Sequence, residues 1–286
     1  MEQHETQSRQ WSGKTDGASW MQRALVGMMR VVPHEVFYVP MALVVPFYVV
    51  FNAKGARAIY RYYRQRLLLG RFQACTGVLW NHLLFGAVVI DRFAAFAGRK
   101  FRFEIENLPL FDELAEGEKG FLMLSSHVGC YELAGYTLVS RNKTFNAVVY
   151  EGESETVMKS RAALLTANNM RLVPVRPDMS HLFTINAALD RGEIVSMPAD
   201  RLNGSPKAVR CELLDAPVCL PRGVFALAKA KEVPMLAVFV MKEGFRRYRI
   251  FVHRVDGPQQ FANALQLVLL CYPAQWFNFY DFWNQQ

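Results

Sequence analysis

Residues Gly120–Arg141 read GFLMLSSHVGCYELAGYTLVSR, and the fold turns on this stretch. The short apolar run after Gly120 predicts a buried strand ending near Ser126. YELAGYTLVSR predicts a helix, and Gly129 permits a tight turn between the two. His127 then stands at the C-terminal end of a strand, where open α/β sheets place their sites. Glu132 falls in the first turn of the helix. On one continuous helix, positions i and i+5 point about 140° apart. Across a strand–turn–helix junction they can meet. A histidine oriented by a carboxylate is the usual arrangement for general base work. Helix N-terminal amides near 129–132 would suit an anion or a developing oxyanion. A buried His–Glu pair serving only the fold is the competing reading.

Outward from this stretch, strands and helices alternate. FRFEIENL has the period of a half-buried strand, and 109–118 reads as a helix with an acidic face. FNAVVYE, RLVPV and EIVSMPAD read as strands, with helices expected over 154–169 and 180–191. VCLPRGVFALAKAKE is expected to become a helix, PMLAVFVM and RYRIFVHRV strands, and 259–271 a last helix. Alternation of this kind predicts an α/β layer structure over 99–286, behind an N-terminal helical region over 1–98.

That N-terminal region begins with a polar, Ser- and Gly-containing segment without the apolar run of a secretory signal. Trp20–Arg30 reads as a short amphipathic helix. Val36–Ala53, VFYVPMALVVPFYVVFNA, holds 18 uncharged residues, the lower limit for a membrane span. Pro40 and Pro46 would kink it. It could lie in one leaflet, cross the bilayer, or form a buried helix pair. Lys54, Arg57, Arg61, Arg64, Arg66 and Arg71 follow, interleaved with Tyr60 and Tyr63. A basic, aromatic helix beside an apolar one suits an anionic leaflet, and equally a solvated face. Residues 72–98 form another apolar helical stretch.

The whole chain of 286 residues carries a net charge of +8, which implies an acidic partner. Nucleic acid is the weaker choice, since no basic arm or nucleic-acid motif is present. Cys75, Cys130, Cys211, Cys219 and Cys271 are odd in number and irregularly spaced, which suggests neither a disulfide framework nor a zinc site and points to a reducing compartment. The histidines form no metal-binding spacing. Cys130 could be read as a nucleophile beside His127, but it follows by three residues across the turn and fits no known pattern.

The element H-x-x-x-x-E at a strand-to-helix turn resembles the H-x4-D/E signature of the lysophospholipid/glycerolipid acyltransferase superfamily. The closer likeness is to its lipid A biosynthesis branch, the lauroyl- or myristoyl-transferring type. GEIVSMPADRLNGSPKAVRCELLDAPVCLPRGVFALAKA resembles the later blocks of that branch. VPMLAVFV resembles the strand that follows, and YPAQWFNFYDFW its P-x-Q-W ending. The likeness covers about 100–286. It implies a mixed α/β sheet flanked by helices, with an N-terminal membrane-associating region. The implied reaction is O-acyl transfer from an acyl carrier protein or coenzyme A thioester to a hydroxyl of a membrane lipid. His127 would be the base and Glu132 its orienting carboxylate, with no resident cofactor or metal. The implied location is the cytoplasmic face of a bacterial inner membrane, with an anionic surface as partner.

Asp200, Arg201 and Lys207 sit in ADRLNGSPK, where they could hold a phosphate of the acceptor or of the donor's phosphopantetheine arm, or simply form a surface loop. The phosphate-acceptor enzymes carry an F-P-E-G-T-R-like block, whereas this chain has MPADRLNG, so a simple glycerol-phosphate acceptor fits less well. An esterase or thioesterase on the same scaffold, or a non-catalytic lipid-binding protein, are the rival readings. The aromatic ending QWFNFYDFW is expected either to cover the catalytic layer as core or to form an interface belt.

Overall fold

The computed structural model describes residues 19–138, 140–150, 169–176, 178–202 and 207–284. Helices α1 (Ser19–Val31), α2 (Tyr38–Phe51), α3 (Ala53–Arg61) and α4 (Arg71–Phe96) precede the first strand. A seven-stranded sheet follows, built from β1 (Arg102–Glu106), β2 (Phe121–Ser125), β3 (Phe145–Tyr150), β4 (Met170–Val175), β5 (Ile194–Pro198), β8 (Met235–Lys242) and β9 (Arg247–Val255). Its spatial order is β1-β9-β8-β2-β5-β3-β4. Strands β8, β2, β5, β3 and β4 run parallel, and β9 turns back antiparallel on β8 with β1 parallel to it. The expected mixed α/β sheet flanked by helices is therefore present.

The central strands read as continuous apolar runs because both faces are covered. Leu122 and Leu124 face a core shared with Val224, Phe261 and Leu265, from helices α8 (Arg222–Lys231) and α9 (Pro258–Cys271). Phe121 and Met123 face the opposite core, with Phe111 of α5 (Leu108–Glu116). Ile59, Tyr62, Tyr63, Ala74 and Val78 from the N-terminal helices belong to the first of these cores.

Two local expectations are corrected. The helix after the His127 turn is far shorter than YELAGYTLVSR suggests. It consists of a 3-10 turn, Tyr131–Leu133, and α6, Ala134–Thr137. Ser140 Oγ accepts from the backbone N–H of Asn142 (3.2 Å) and of Lys143 (3.0 Å), a local alternative to continuing the helix. VCLP is a strand. Pro217–Pro221 forms β7, paired antiparallel with β6 (Ala208–Glu212), and the helix starts only at Arg222. Val218 and Leu220 alternate into the core, and Pro221 at the helix N-cap holds an extended backbone. The helix expected over 154–169 lies outside the described residues but for its last position, whereas that over 180–191 is α7 (Ser180–Asp190).

Helix α2 lies against α4. A Cβ on Gly86 would come 2.6 Å from Met41 Sδ, so the glycine permits the close approach. A buried charge fastens this helical pair to the sheet. Asp91 of α4, fully buried, accepts from the hydroxyls of Tyr38 and Tyr248 and from Lys242 Nζ (2.5 Å). On its outer side, α2 leaves Val39, Leu43, Val44, Phe47, Val50 and Phe51 exposed. The segments His34–Phe51 and Arg71–Phe96 are both long and apolar enough to cross a membrane by length and composition.

Candidate active site

Strands β2 and β5 are parallel neighbours in register, Ser125 beside Pro198. Their C-terminal extensions run on together, with Ala199 N–H donating to Ser125 O at 2.9 Å. This brings Ser126 and His127, just past one strand, against Asp200, just past the other. His127 Nδ1 lies 2.8 Å from Asp200 Oδ1. Asp200 Oδ2 accepts from His127 N–H (2.9 Å), Ser126 Oγ (2.9 Å) and Asn278 Nδ2 (3.4 Å). The Asp200 side chain is fully buried and that of His127 is 20 % exposed. Burial alone would raise the Asp200 carboxyl, but the charge and hydrogen bonds of His127 outweigh it and hold the group well below the usual carboxylate range. With Nδ1 committed to a carboxylate as donor, Nε2 is the ring's proton acceptor. Among the described residues it carries no hydrogen bond.

Glu132 does not fill the place expected of it. Its carboxylate accepts from Arg92 Nη1 of α4 at 2.8 Å, and the carboxylate on the imidazole is that of Asp200. After Gly129 the chain leaves His127 through a 3-10 turn, which carries Glu132 toward α4. Asp200 is displaced from its expected role in the opposite sense, since a buried carboxylate with both oxygens engaged has no face for a phosphate. Arg201 lies beside it. Its Nε donates to Asn278 Oδ1 (2.7 Å), its Nη2 to Phe277 O (3.2 Å), and the guanidinium sits over the Tyr280 ring at 5.5 Å. Lys207 is exposed at the foot of β6, beyond residues 203–206, which lie outside the description.

The turn carrying His127 is held from below by the chain's ending. Val128 forms an antiparallel bridge with Trp276, and Phe277 N–H donates to His127 O at 3.0 Å. Gly129 N–H donates to Gln275 O (3.0 Å) and Cys130 N–H to Val240 O (2.8 Å). The Gln275 amide clamps the end of β8, accepting from Lys242 N–H (2.9 Å) and donating to Lys242 O (2.8 Å). Gly129 has φ +54, and a Cβ there would lie 2.0 Å from Val240 O, so no other residue fits. Trp276, Phe277 and Phe282 are buried, so this part of the aromatic ending is core under the site. Cys130 is fully buried, and burial, then the charges of Glu132 and Asp91, push its thiol well above its ordinary value. It is no nucleophile.

Sequence reasoning missed Ser126, Asn278, Gln275 and Arg92. Two strands each ending in polar residues, SSH and AD, were the available signal for the His127–Asp200 pair. The others depend on strand order and on where the chain's end returns.

No curated protein matches the chain. Among solved structures, the 1-acyl-sn-glycerophosphate (LPA) acyltransferase PlsC from Thermotoga maritima matches at 12% identity, covering 86% of this chain and 96% of that one, with a TM-score of 0.36. The family model described as bacterial lipid A biosynthesis acyltransferase matches residues 92–280. The H-x4-E turn, the strand end bearing Asp200 and the tail as far as Tyr280 fall inside that match, and the chain belongs to this acyltransferase family.

Proposed function

We infer that this protein transfers a fatty acyl chain from a thioester, on acyl carrier protein or coenzyme A, to a hydroxyl of a membrane lipid, a lipid A precursor or another lysolipid. The observation that carries this reading is the His127–Asp200 pair, at 2.8 Å, with Nε2 turned away from the carboxylate on an accessible ring. His127 Nε2 accepts the proton of the acceptor hydroxyl as its oxygen attacks the thioester carbonyl carbon. The new C–O bond forms, the C–S bond breaks, and the departing thiolate takes the proton from the imidazolium. Asp200 holds the tautomer and stabilises the imidazolium, the logic of a triad without an enzyme nucleophile. General base action supplies about 10²–10⁴-fold, and positioning and oxyanion stabilisation supply the rest. Arg201 and Lys207 hold a phosphate of acceptor or donor.

The protein works on a membrane, at the cytoplasmic face of the inner membrane. Helix α4 runs along the catalytic edge of the sheet. Asn81 Nδ2 donates to Trp276 O (2.7 Å) near its middle, and Arg92 reaches Glu132 near its C-terminal end. The exposed apolar side of α2 lies on the outside of α4, with Phe51 86% exposed, and Phe72 in the first turn of α4 is 81% exposed. A helix held along its length by a packed neighbour favours lying in one leaflet over crossing it. Lys54, Arg57, Arg61 and Arg71 beside it suit anionic headgroups, at about 1 kcal/mol for each basic residue near the surface.

Lipid extracts from cells carrying the wild type and His127→Ala test the reading. A lipid that loses one acyl chain in the variant names the acceptor and the chain length. Identical extracts, with the variant folded and expressed, would refute it.

A further inference from the structure

We propose that Asn278 is a positioning residue for this reaction: its side-chain amide keeps Asp200 on His127 and Arg201 off Asp200, so that each serves its own partner. The proposal rests on the acyl-transfer reading above. Asp200 and Arg201 are neighbours in the chain and opposite in charge, and Asp200 feels the Arg201 charge. Left to themselves, a carboxylate and a guanidinium pair bidentately. Such a pairing would draw the Asp200 oxygens from His127 and close the guanidinium to any anion of the substrate.

Asn278 stands between them. It is 1% exposed. Its Nδ2 donates to Asp200 Oδ2 at 3.4 Å, and its Oδ1 accepts from Arg201 Nε at 2.7 Å. A primary amide donates at one end and accepts at the other, so it satisfies an anion and a cation at once without a charge of its own. A carboxylate or an alkyl group at this position serves at most one of them. Its backbone neighbour completes the device. Phe277 O accepts from Arg201 Nη2 (3.2 Å) and Phe277 N–H donates to His127 O (3.0 Å). The Tyr280 ring below the guanidinium fixes its plane. One short piece of the tail therefore touches the base's backbone, its carboxylate and the adjacent cation.

The test uses the full-length protein in anionic vesicles, with Asn278→Asp, Asn278→Ala and His127→Ala compared with wild type. Asn278→Asp keeps the shape, pairs with Arg201 and sets a like charge against Asp200. It is expected to lower kcat by about 30-fold or more and to move the acid limb of kcat/KM to higher pH, with a smaller change in donor KM. Asn278→Ala is expected to lower kcat by about 10-fold and to bring no new charge to the pH profile. Circular dichroism confirms the fold of each variant. Variants that fold, keep kcat within about twofold of wild type and leave the pH profile in place, while His127→Ala is inactive, would overturn the proposal.

Wild-type protein labelled with 15N in asparagine and histidine gives a reading independent of both activity and substitution. The Asn278 side-chain NH2 is expected to be protected from solvent exchange at neutral pH, because both of its ends are engaged in the buried site. Free exchange of that amide at neutral pH sinks the idea even if every variant unfolds. If wild type itself transfers no acyl group, the transferase reading fails, and this signal alone decides the role of Asn278.

Discussion

Asp200 keeps its charge in a fully buried position because His127, Ser126 and Asn278 all donate to it. Asp200→Asn replaces that acceptor with an amide that can present its NH2 to the ring and reverse the tautomer. A loss of about 10³–10⁴-fold in kcat is expected, with the fold retained. Glu132→Gln touches the Arg92 contact instead, so the His127 Nδ1–H signal in 15N spectra should survive it and vanish in Asp200→Asn. The reverse pattern would return the orienting role to Glu132. Gly129→Ala drives a Cβ into the Val240 carbonyl and forces the His127 turn to move. If His127 is the proposed base, its misplacement by about 1 Å is enough to cost about 10²-fold in kcat, a loss that steady-state assay of the folded variant would read. His127 itself was legible from SSH at the end of an apolar run. Its partner was not, because H-x4-E offers a nearer carboxylate in sequence, while contact with Asp200 follows from β2 and β5 being parallel neighbours. Strand order leaves no local mark in the sequence. Asn278 was hidden for the same reason, lying 78 residues from Asp200 and meeting it only because the tail folds back.

At the scale of elements, periodicity revealed most strands and helices, since buried parallel strands read as apolar runs and helices break at Gly, Pro and Asp. It failed where a competing local interaction decided the outcome, as at Ser140, or where Pro217 and Pro221 bracket a short paired strand inside a run that otherwise reads as helix. The Asp91 cluster was equally invisible, because its partners Tyr38, Lys242 and Tyr248 come from three separate elements. Asp91→Ala leaves Lys242 buried without its counter-ion. A destabilisation of about 3–5 kcal/mol is expected by urea unfolding, together with easier proteolysis of α2 as its anchor to the sheet is lost. A change under about 1 kcal/mol would mean that the cluster contributes little to holding the helices. The outer face of α2 carries a separate expectation. Phe47→Ser with Phe51→Ser removes exposed apolar groups without touching the core, so thermal stability should stay within about 1 kcal/mol of wild type. Sedimentation with anionic vesicles should fall by about tenfold or more, each buried aromatic being worth about 1.5–3 kcal/mol. Unaltered sedimentation would remove α2 from the membrane contact.

The whole molecule couples two kinds of titratable group to pH, and both act in the same direction. Several carboxyls are lowered in the folded state: Asp200 against burial by His127, Glu35 to about 2 by its hydrogen bond with Arg246, and Glu243 by its hydrogen bond with Arg249. Below about pH 4 the unfolded chain binds protons at these positions that the folded one refuses, so stability is lost as pH falls. His82 and His253 are lowered by burial, so the folded protein also resists protons that unfolded histidine takes near pH 6.5. For a lowered histidine the unfolded state again binds more protons, and stability again falls with pH, here beginning below about 6.5. Thermal unfolding measured from pH 8 to pH 3 should therefore give a Tm that is flat above about pH 7, slopes gently down to about pH 5, and drops steeply below about pH 4. His82→Gln should flatten the middle segment and leave the steep one, because the carboxyl groups remain. A Tm that rises as pH falls from 7 to 5 would mean that the buried histidines are held charged, and that His82, packed at 4.8 Å on Phe279, has an acidic partner in solution that its packing does not supply.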